Sequence, residues 1–356
     1  METILSIHEP VSDISQFVGR QNLINKVYSR IGAARPQSVS LVGDYKIGKT
    51  SLLNFLSDPV TRSKYFDDIS EYYCLRLSVT EELNSLESFV KELCYQIAHG
   101  LESEFKFESI LDSYDWFKRI VEMASKRNRK IILFMDDFNL ITQNESFPLE
   151  FFSFLRSLAN NYNVAYVTTS YLDLQQLCVS KDVEESPFFN IFTNITIRPF
   201  DPDETDQFLK QACEIAPLNT EKNKILVKAY AGNFPYLLQI ACNVIHDQDT
   251  AQRGAIQDDL FKQKYESLTK EYFEVTWQNL NNDLQVILRQ IAHKIKIENP
   301  REYLVQELVQ KQLLIIDDSQ PKIFSPSFLS FIKDLDGANG KSKSIFSGLL
   351  RLIGFK

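Results

Sequence analysis

Short apolar runs alternate with longer amphipathic stretches up to about residue 200. The amphipathic stretches repeat apolar residues every three or four positions, as Phe89, Leu93 and Ile97 do, which predicts helices. Apolar runs without polar alternation are typical of strands covered on both faces. The pattern predicts an α/β fold with a parallel sheet. Its expected strands are SVSLV (38–42), EYYCLRLSV (71–79), IILFMDDF (131–138), VAYVTTS (164–170) and NITIRPF (194–200).

The pattern changes after residue 200. Helical periodicity dominates to about residue 262, and two further helices then precede a hairpin-like pair of short strands, LLIIDD–SQPK–IFSPSF. A small helical unit that ends in such a pair resembles a winged helix. We therefore expect an N-terminal segment (1–13), a sheet domain (14–200), a helical domain (201–264), a winged-helix domain (265–336) and a tail (337–356).

Composition and charge exclude several classes of protein. Apolar residues make up 44% of the chain and charged residues 24%, and the net charge is −8. This acidic balance argues against a protein that grips nucleic acid over its whole surface, because phosphate binding needs a basic footprint. The five cysteines form no CxxC pair and the four histidines no HExxH group, so we expect neither zinc nor disulfides. The first residues do not resemble a secretory signal, and we expect a cytoplasmic protein.

The segment GDYKIGKT (43–50) matches the pattern G-x-x-x-x-G-K-[ST] between a predicted strand and a predicted helix. Such a loop surrounds phosphate oxygens with backbone N–H groups, and the helix adds the positive end of its dipole. We expect Lys49 to bridge the β- and γ-phosphates and act in catalysis, and the Thr50 hydroxyl to bind Mg²⁺. A glycine-rich turn with a chance lysine is the alternative. The predicted binding residues are Gly43, Asp44, Tyr45, Lys46, Ile47, Gly48, Lys49, Thr50 and Ser51.

Two carboxylates stand at the end of the predicted strand IILFMDDF. Burying carboxylates there is costly unless a cation or hydrogen-bond donors meet them. We expect Asp136 to hold Mg²⁺, directly or through water, and Asp137 to polarise the attacking water as the catalytic base. A solvated strand end is the alternative interpretation.

The predicted strand VAYVTTS ends in hydroxyl groups. Ligands of open parallel sheets bind at the carboxyl ends of the strands. We therefore expect Thr169 or Ser170 to sense the γ-phosphate or to position water during catalysis. Ordinary polarity at a strand end is the competing interpretation.

Together these motifs resemble the STAND class of AAA-like P-loop ATPases, which are signal-transduction switches that include the NLR immune receptors. The resemblance covers residues from about 14 to 335. It implies a P-loop NTPase sheet of the ASCE type, then a helical lid and a winged helix, with ATP or ADP and Mg²⁺ as cofactors. QFVGR (16–20) is similar to the family's opening motif, and GNFPYLLQIAC (232–242) to its GxP motif. The resemblance thus implies nucleotide contacts for Phe17, Val18, Gly19, Arg20 and Pro235.

The sequence departs from the family pattern at two places. Tyr171 follows Ser170 where many members carry an arginine, so the resemblance implies no direct charge on the γ-phosphate there. The segment IFSPSFLSFI (323–332) stands in place of the Met-His-Asp signature, so no winged-helix histidine is expected to lock ADP. Members usually continue into repeats or an effector domain, and we expect a protein partner or a homo-oligomer to supply these functions.

The leading interpretation is an ATP/ADP-binding molecular switch with slow Mg²⁺-dependent hydrolysis, in which the nucleotide sets the arrangement of lid and winged helix. A DNA-binding initiator or loader is an alternative, since replication-initiator ATPases share this core and winged helix. The predicted hairpin turn DDSQPK has two acids and one lysine, which argues against a nucleic-acid partner. A nucleotide-stabilised scaffold that never hydrolyses is the third interpretation.

The tail GANGKSKSIFSGLLRLIGFK (337–356) carries four basic residues and no acid. Beyond a linker-like stretch, Ile345, Leu349, Leu352 and Ile353 fall on one side of a helix. A basic amphipathic helix favours reversible attachment to an anionic membrane surface, which predicts a peripheral location at the membrane. Docking of the same apolar face on the protein's own core or on a partner is the alternative.

Overall fold

A computed structural model describes residues 9–80, 83, 85–100, 110–213, 221–252, 257–295 and 302–338. These residues form two units that meet in the sequence at Arg198 and Pro199. We call residues 9–198 the N-terminal unit and the described residues from 199 onward the C-terminal unit. The predicted division at residue 264 stays a prediction, and the amphipathic part of the tail lies outside the described residues.

The N-terminal unit contains a parallel sheet with the strand order β2-β3-β4-β1-β5, which confirms the α/β class. Helices fill the connections between its strands. The strands are β1 (Ser38–Gly43), β2 (Tyr72–Ser78), β3 (Lys130–Asp136), β4 (Val164–Ser170) and β5 (Phe192–Ile197). The helices are α1 (Gln21–Ile31), α2 (Lys49–Ser57), α3 (Pro59–Arg62), α4 (Leu86–Gly100), α5 (Ile110–Lys126), α6 (Asn139–Thr142), α7 (Leu149–Asn161) and α8 (Lys181–Glu184).

The position of each strand in the sheet explains its apolar pattern. Every residue of β3 and β4 is buried, because both strands lie inside the sheet and are covered on both faces. The edge strands β2 and β5 are only partly buried and carry more polar residues. One large core cluster joins the central strands to the helices through aromatic side chains such as Phe89, Phe117 and Phe151. The central strands therefore hold the carboxyl edge of the sheet in a fixed position.

Helices dominate the C-terminal unit. An antiparallel hairpin pairs Leu314 with Ile323, which confirms a hairpin after the helices. Its second strand is Gln320–Ile323, so the predicted position of that strand at 323–328 was wrong, because Pro326 begins a helix there. Its turn residues Asp318 and Ser319 have φ values of 46° and 64°, as tight two-residue hairpin turns require. None of the described helices is long and apolar enough to cross a membrane. The elements are α9 (Pro202–Cys213), α10 (Glu221–Ala231), α11 (Pro235–Gln252), α12 (Asp258–Gln278), α13 (Asn282–Ala292), α14 (Glu302–Gln310), β6 (Leu314–Asp317), β7 (Gln320–Ile323) and α15 (Pro326–Ala338).

Candidate functional site

The loop between β1 and α2 is shaped by two glycines. Gly48 has a φ of +97°, a backbone conformation that side chains with a Cβ rarely adopt. A Cβ on Gly43 would lie 2.9 Å from Ile47 Cγ2 and 3.1 Å from both Ile197 Cβ and the Ile197 carbonyl oxygen. The loop therefore packs closely against the end of β5, and only glycine fits at its first position without displacing these neighbours.

Lys49 is the first residue of α2, and its ammonium turns back into the loop. Its Nζ donates to the carbonyl oxygens of Gly43, at 2.9 Å, and Asp44, at 3.1 Å. Burial lowers the pKa of Lys49, and the carboxylates of Asp137, Asp44 and Asp136 act in the opposite direction. The helix N-terminus and this ammonium together form a site where a phosphate group would be stabilised.

Arg20 holds the loop from the other side. It is 8% exposed, adopts a φ of 66°, and donates from Nη2 to the Ile47 carbonyl oxygen at 3.1 Å. Its Nη1 donates to the carbonyl oxygen of Arg198, just after β5. The side chain thereby fixes the loop to the end of the last strand. Its expected contact with nucleotide stays a prediction.

The other residues of the predicted opening motif lie beside α2. The Phe17 ring stacks on Phe55 with ring centroids 4.4 Å apart, and Val18 is half-buried. Gly19 has a φ of 73°, which favours glycine at this turn. Their contact with an adenine ring stays a prediction.

Thr169 joins the two acids at the carboxyl edge of the sheet. Its Oγ1 donates to Oδ1 of the buried Asp136 at 2.6 Å and accepts from the Asp137 backbone N–H at 2.8 Å. The Phe138 backbone N–H donates to the Thr169 carbonyl oxygen at 3.0 Å. The predicted sensor residue therefore contacts the predicted metal ligand directly and orients the turn that carries the predicted base.

Sequence reasoning missed Arg76, which lies on β2 beside these acids. Its Nη2 is 3.5 Å from Asp136 Oδ2, and its side chain is 35% exposed. Ser78 pairs with Asp136 in the sheet, so Arg76 lies two residues earlier on the same face of the neighbouring strand. The signal was available, since Arg76 is the one cation in the apolar run EYYCLRLSV.

Two predicted site hydroxyls make bonds within the protein. Ser170 is buried, and its Oγ donates to the Leu172 carbonyl oxygen at 2.6 Å. Ser51 Oγ accepts from the Val11 backbone N–H at 3.0 Å, and the Asn54 side chain donates to the Val11 carbonyl oxygen at 2.9 Å. These bonds hold the backbone after β4 and fasten the segment before α1 to α2. The contacts of both hydroxyls with nucleotide stay predictions.

The remaining predicted residues lie around the loop or in the other unit. Asp44 is exposed, Tyr45 and Thr50 are half-buried, and the Ile47 side chain is 2% exposed beneath the loop. Lys46 has a φ of 57° and lies over the Tyr45 ring. Pro235 is the first residue of α11 in the C-terminal unit, and its contact with nucleotide stays a prediction.

The residues of the loop and the strand ends fit a magnesium–phosphate group. Thr50 supplies a hydroxyl oxygen next to Lys49, and Asp136 supplies carboxylate oxygens, which are the hard ligands that Mg²⁺ prefers. Among the described residues, no three His, Cys, Asp or Glu side chains converge as a metal centre. A cation at this site would therefore depend on phosphate oxygens for further ligands, as Mg²⁺ sites in phosphoryl transfer do.

Asp137 is accessible to solvent, but the protein atoms around its carboxyl group still raise its pKa by desolvation. The charge of Asp136 raises the pKa of Asp137 further, and Lys49 lowers it. The backbone at Asp137 adopts a φ of 51°, which turns the chain out of β3. A carboxylate with a raised pKa is a stronger proton acceptor than an ordinary surface aspartate.

The Asp137→Asn substitution is expected to stabilise the fold slightly near neutral pH. With a folded pKa above 3.8, the folded chain holds this proton more tightly than the unfolded chain does. The wild type therefore loses stability relative to the variant as pH rises from about 4 through the raised pKa, and stays less stable above it. The gain should be below about 1 kcal/mol because solvent reaches the group. Thermal unfolding of both nucleotide-free proteins from about pH 4 to about pH 8 measures it; a gain independent of pH would contradict the assignment.

Comparison with known proteins identifies the family and the fold. The family described as novel STAND NTPase 2 matches residues 33–287, more than two thirds of the chain. Among curated proteins, no sequence matches the chain.

Solved structures resemble this chain in fold at low sequence identity. A Walker-type ATPase of Pyrococcus abyssi has 16% identity and a TM-score of 0.60, over 92% of this chain and 99% of that one. The Aeropyrum pernix ORC2 protein, in complexes with ADPNP and ADP, has 14% identity and a TM-score of 0.55, over 90% and 94%. Drosophila ORC bound to DNA has 13% identity and a TM-score of 0.51, over 99% and 81%. Likeness at these identities concerns the fold alone, and it confirms the P-loop NTPase class.

Proposed function

The chain belongs to the novel STAND NTPase 2 family, and from this premise we propose that it is an ATP/ADP-binding switch with slow Mg²⁺-dependent hydrolysis. One observation carries the proposal. Lys49, at the start of α2, lies within electrostatic range of Asp136 and Asp137, and Thr169 holds these two acids together. A phosphate-binding cation beside a paired carboxylate cluster is the arrangement that phosphoryl transfer to water needs.

Each residue of the cluster has a separate part in the proposed reaction. The loop N–H groups and Lys49 bind and orient the phosphates, and Arg20 keeps the loop in place. A Mg²⁺ ion held by Thr50 and Asp136 would neutralise phosphate charge. Asp137 accepts the proton of the attacking water, which its raised pKa favours.

The residues after β4 support the proposal that ATP hydrolysis is slow. Tyr171 stands next to Ser170, and its hydroxyl accepts a hydrogen bond from Gln143 Nε2 at 2.6 Å. A tyrosine supplies no positive charge to the γ-phosphate, and the guanidinium of Arg76 pairs with Asp136. Weak stabilisation of developing phosphate charge is consistent with a switch that keeps its nucleotide for long periods.

Asn233, in the predicted GxP motif, connects three parts of the C-terminal unit. Its carbonyl oxygen accepts from the Phe200 N–H at 2.9 Å, and its Oδ1 accepts from the Thr205 hydroxyl at 2.9 Å. Its Nδ2 donates to Gln312 Oε1 at 2.8 Å, and Gln312 Nε2 donates to the Phe200 carbonyl oxygen at 3.1 Å. A displacement of the backbone at Pro235 would therefore change the hydrogen bonds of the Asn233 side chain to both Thr205 on α9 and Gln312 before β6.

The Pro235→Ala substitution is expected to leave nucleotide binding to the loop intact and to weaken coupling. A ligand shifts a conformational equilibrium only through contacts that differ between the two states, and Pro235 is the proposed contact. The difference in hydrogen exchange of α9–α11 between ATP- and ADP-loaded protein should therefore shrink. Pro326→Ala, at the first position of α15, is the matched control. Equal ATP–ADP differences in the Pro235 variant and the wild type would contradict the coupling.

Single-turnover hydrolysis tests the proposed activity. Labelled ATP is mixed with excess protein with and without Mg²⁺, and native mass spectrometry follows bound nucleotide and assembly state. We expect slow conversion to ADP with Mg²⁺ and a different assembly in the ATP and ADP states, either with itself or with a partner protein. Bound ATP that is never converted would favour the scaffold without hydrolysis.

A DNA-binding initiator or loader is the competing proposal. Drosophila ORC bound to DNA is similar in fold, so the expectation of no nucleic-acid partner gains no support from that relative and stays a prediction. In the hairpin, Lys322 pairs with Asp317, and Asp318 adds a second acid, which disfavours phosphate contacts at this turn. A salt-dependent shift of labelled duplex DNA at submicromolar protein would reverse the order of the two proposals.

A further inference from the structure

The C-terminal unit has a large open cavity beside its hairpin. Its volume is about 1540 Å³, and its walls come from the turn after α10, the end of α13, both hairpin strands and the start of α15. We call this cavity the hairpin groove. Its apolar lining includes Ile291, Ile295, Ile315, Ile316, Phe324 and Leu329.

Three of the isoleucines that line the hairpin groove are exposed to solvent. Ile295 is 57% exposed, Ile315 is 48% exposed and Ile316 is 54% exposed. Single exposed apolar residues are common, but several around one concave surface are typical of an interaction site. Burial of these side chains by a partner would therefore stabilise a complex.

The rim of the hairpin groove is positively charged. Of the described residues that line it, four are lysines (Lys228, Lys294, Lys322 and Lys333) and none is acidic. Lys228 pairs with the neighbouring Asp206, and Lys322 pairs with Asp317. With the turn residue Asp318 counted as well, three neighbouring acids face four lysines, and the balance at the rim stays positive, so an acidic occupant has the complementary charge.

We propose that the hairpin groove binds an acidic amphipathic helix of a partner protein. A helix is about 10 Å across and rises about 5.4 Å per turn, so the volume of the groove accommodates about three turns. Apolar side chains at i, i+3, i+4 and i+7 would bury the exposed isoleucines, and flanking carboxylates would meet the lysine rim. The groove belongs to the C-terminal unit alone, and its test does not depend on nucleotide turnover.

The charge of the rim disfavours the protein's own tail as the occupant. The sequence of the tail (337–356) predicts an apolar helix face of the kind that such a groove accepts, but it carries four basic residues and no acid. Like charges at an interface oppose binding. The tail and the proposed partner helix therefore differ in the sign of their charge, which an experiment can separate.

Fluorescence anisotropy with the full chain and two labelled helical peptides of about 14 residues tests the proposal. Both peptides have the same apolar residues at the same positions. All other positions are Glu in the acidic peptide and Lys in the basic peptide. We expect the acidic peptide to bind at least about tenfold more tightly at about 0.15 M salt, with the preference shrinking at about 0.5 M. In the Lys294→Glu/Lys333→Glu variant this preference should disappear.

A matched control changes the same charge away from the groove. Lys262 and Lys270 are exposed on α12 and do not line the groove, so the Lys262→Glu/Lys270→Glu variant should keep the preference. The Ile316→Ser variant should bind the acidic peptide more weakly than the wild type does, but it should still prefer the acidic peptide to the basic one. Nucleotide affinity, measured in parallel, should be unchanged in the groove variants, which separates failure of this proposal from failure of the proposed switch.

Four outcomes would overturn the proposal. Equal affinity for both peptides, or a preference that survives the Lys294→Glu/Lys333→Glu change, would exclude charge-selective docking in the groove. Tighter binding of a synthetic 339–356 peptide would assign the groove to the protein's own tail. Lysine-dependent binding of phosphatidylcholine–phosphatidylglycerol vesicles without binding of the acidic peptide would assign it to a membrane surface.

Discussion

Lys49→Ala is expected to lower the affinity of the chain for ATP and ADP by at least about 100-fold. The ammonium now donates to two loop carbonyl oxygens, at 2.9 Å and 3.1 Å, and is surrounded by carboxylates that favour its charged form. A bound phosphate would accept the same donors, and each charged hydrogen bond contributes about 1.5–3 kcal/mol. Two such bonds account for the expected loss, which isothermal titration calorimetry with each nucleotide measures.

Lys26→Ala provides the control for charge alone. Lys26 is exposed on α1, and its removal changes the net charge of the chain by the same amount. We expect the affinity of this variant for nucleotide to stay within about threefold of the wild type. Unchanged affinity in the Lys49 variant would show that the nucleotide site lies elsewhere.

Asp136→Asn is expected to spare nucleotide binding and to slow Mg²⁺-dependent hydrolysis by at least about 100-fold, or about 2.7 kcal/mol in the barrier. The amide oxygen still accepts the 2.6 Å hydrogen bond from Thr169, so the strand ends should stay in place. The negative charge that would hold Mg²⁺ is lost. Single-turnover hydrolysis over a range of Mg²⁺ concentrations measures the effect, and part of the rate should return at high Mg²⁺.

The control for Asp136 is Asp115→Asn, an exposed carboxylate on α5. Its hydrolysis rate and Mg²⁺ dependence should equal those of the wild type. An Asp136 variant that hydrolyses ATP at the wild-type rate would remove this residue from the proposed reaction. The Asp137→Asn variant, measured in the same series, is expected to bind nucleotide but to lack the proton acceptor for hydrolysis. Comparing the two variants separates the proposed role of Asp136 in Mg²⁺ binding from that of Asp137 as the base.

The sheet was predictable because burial on two faces leaves a direct signature in the sequence. The runs IILFM and VAYV fall in β3 and β4, whose residues are all buried. The edge strand β2 was found from a weaker run that contains Arg76. The loop at 43–48 was predictable for a different reason, because its glycines are required locally. Gly48 has a positive φ, and Gly43 has no room for a Cβ atom.

The bonds within the site were not predictable, because they depend on the register of strands that are distant in the sequence. Thr169 reaches Asp136 across 33 residues, and the pairing of Met135 with Thr168 is what brings them together. The bond between Val11 and Ser51 spans 40 residues and has no sequence signal. Sequence patterns identify which residues carry chemistry, but the pairing of strands decides which of them meet.

Arg198 is the last residue of the N-terminal unit, and its carbonyl oxygen is the one that Arg20 holds. The same guanidinium holds the Ile47 carbonyl oxygen in the loop. One side chain therefore ties the phosphate-binding loop to the last residue of the N-terminal unit, so the position of the Arg198 carbonyl oxygen and the position of the loop depend on the same two hydrogen bonds.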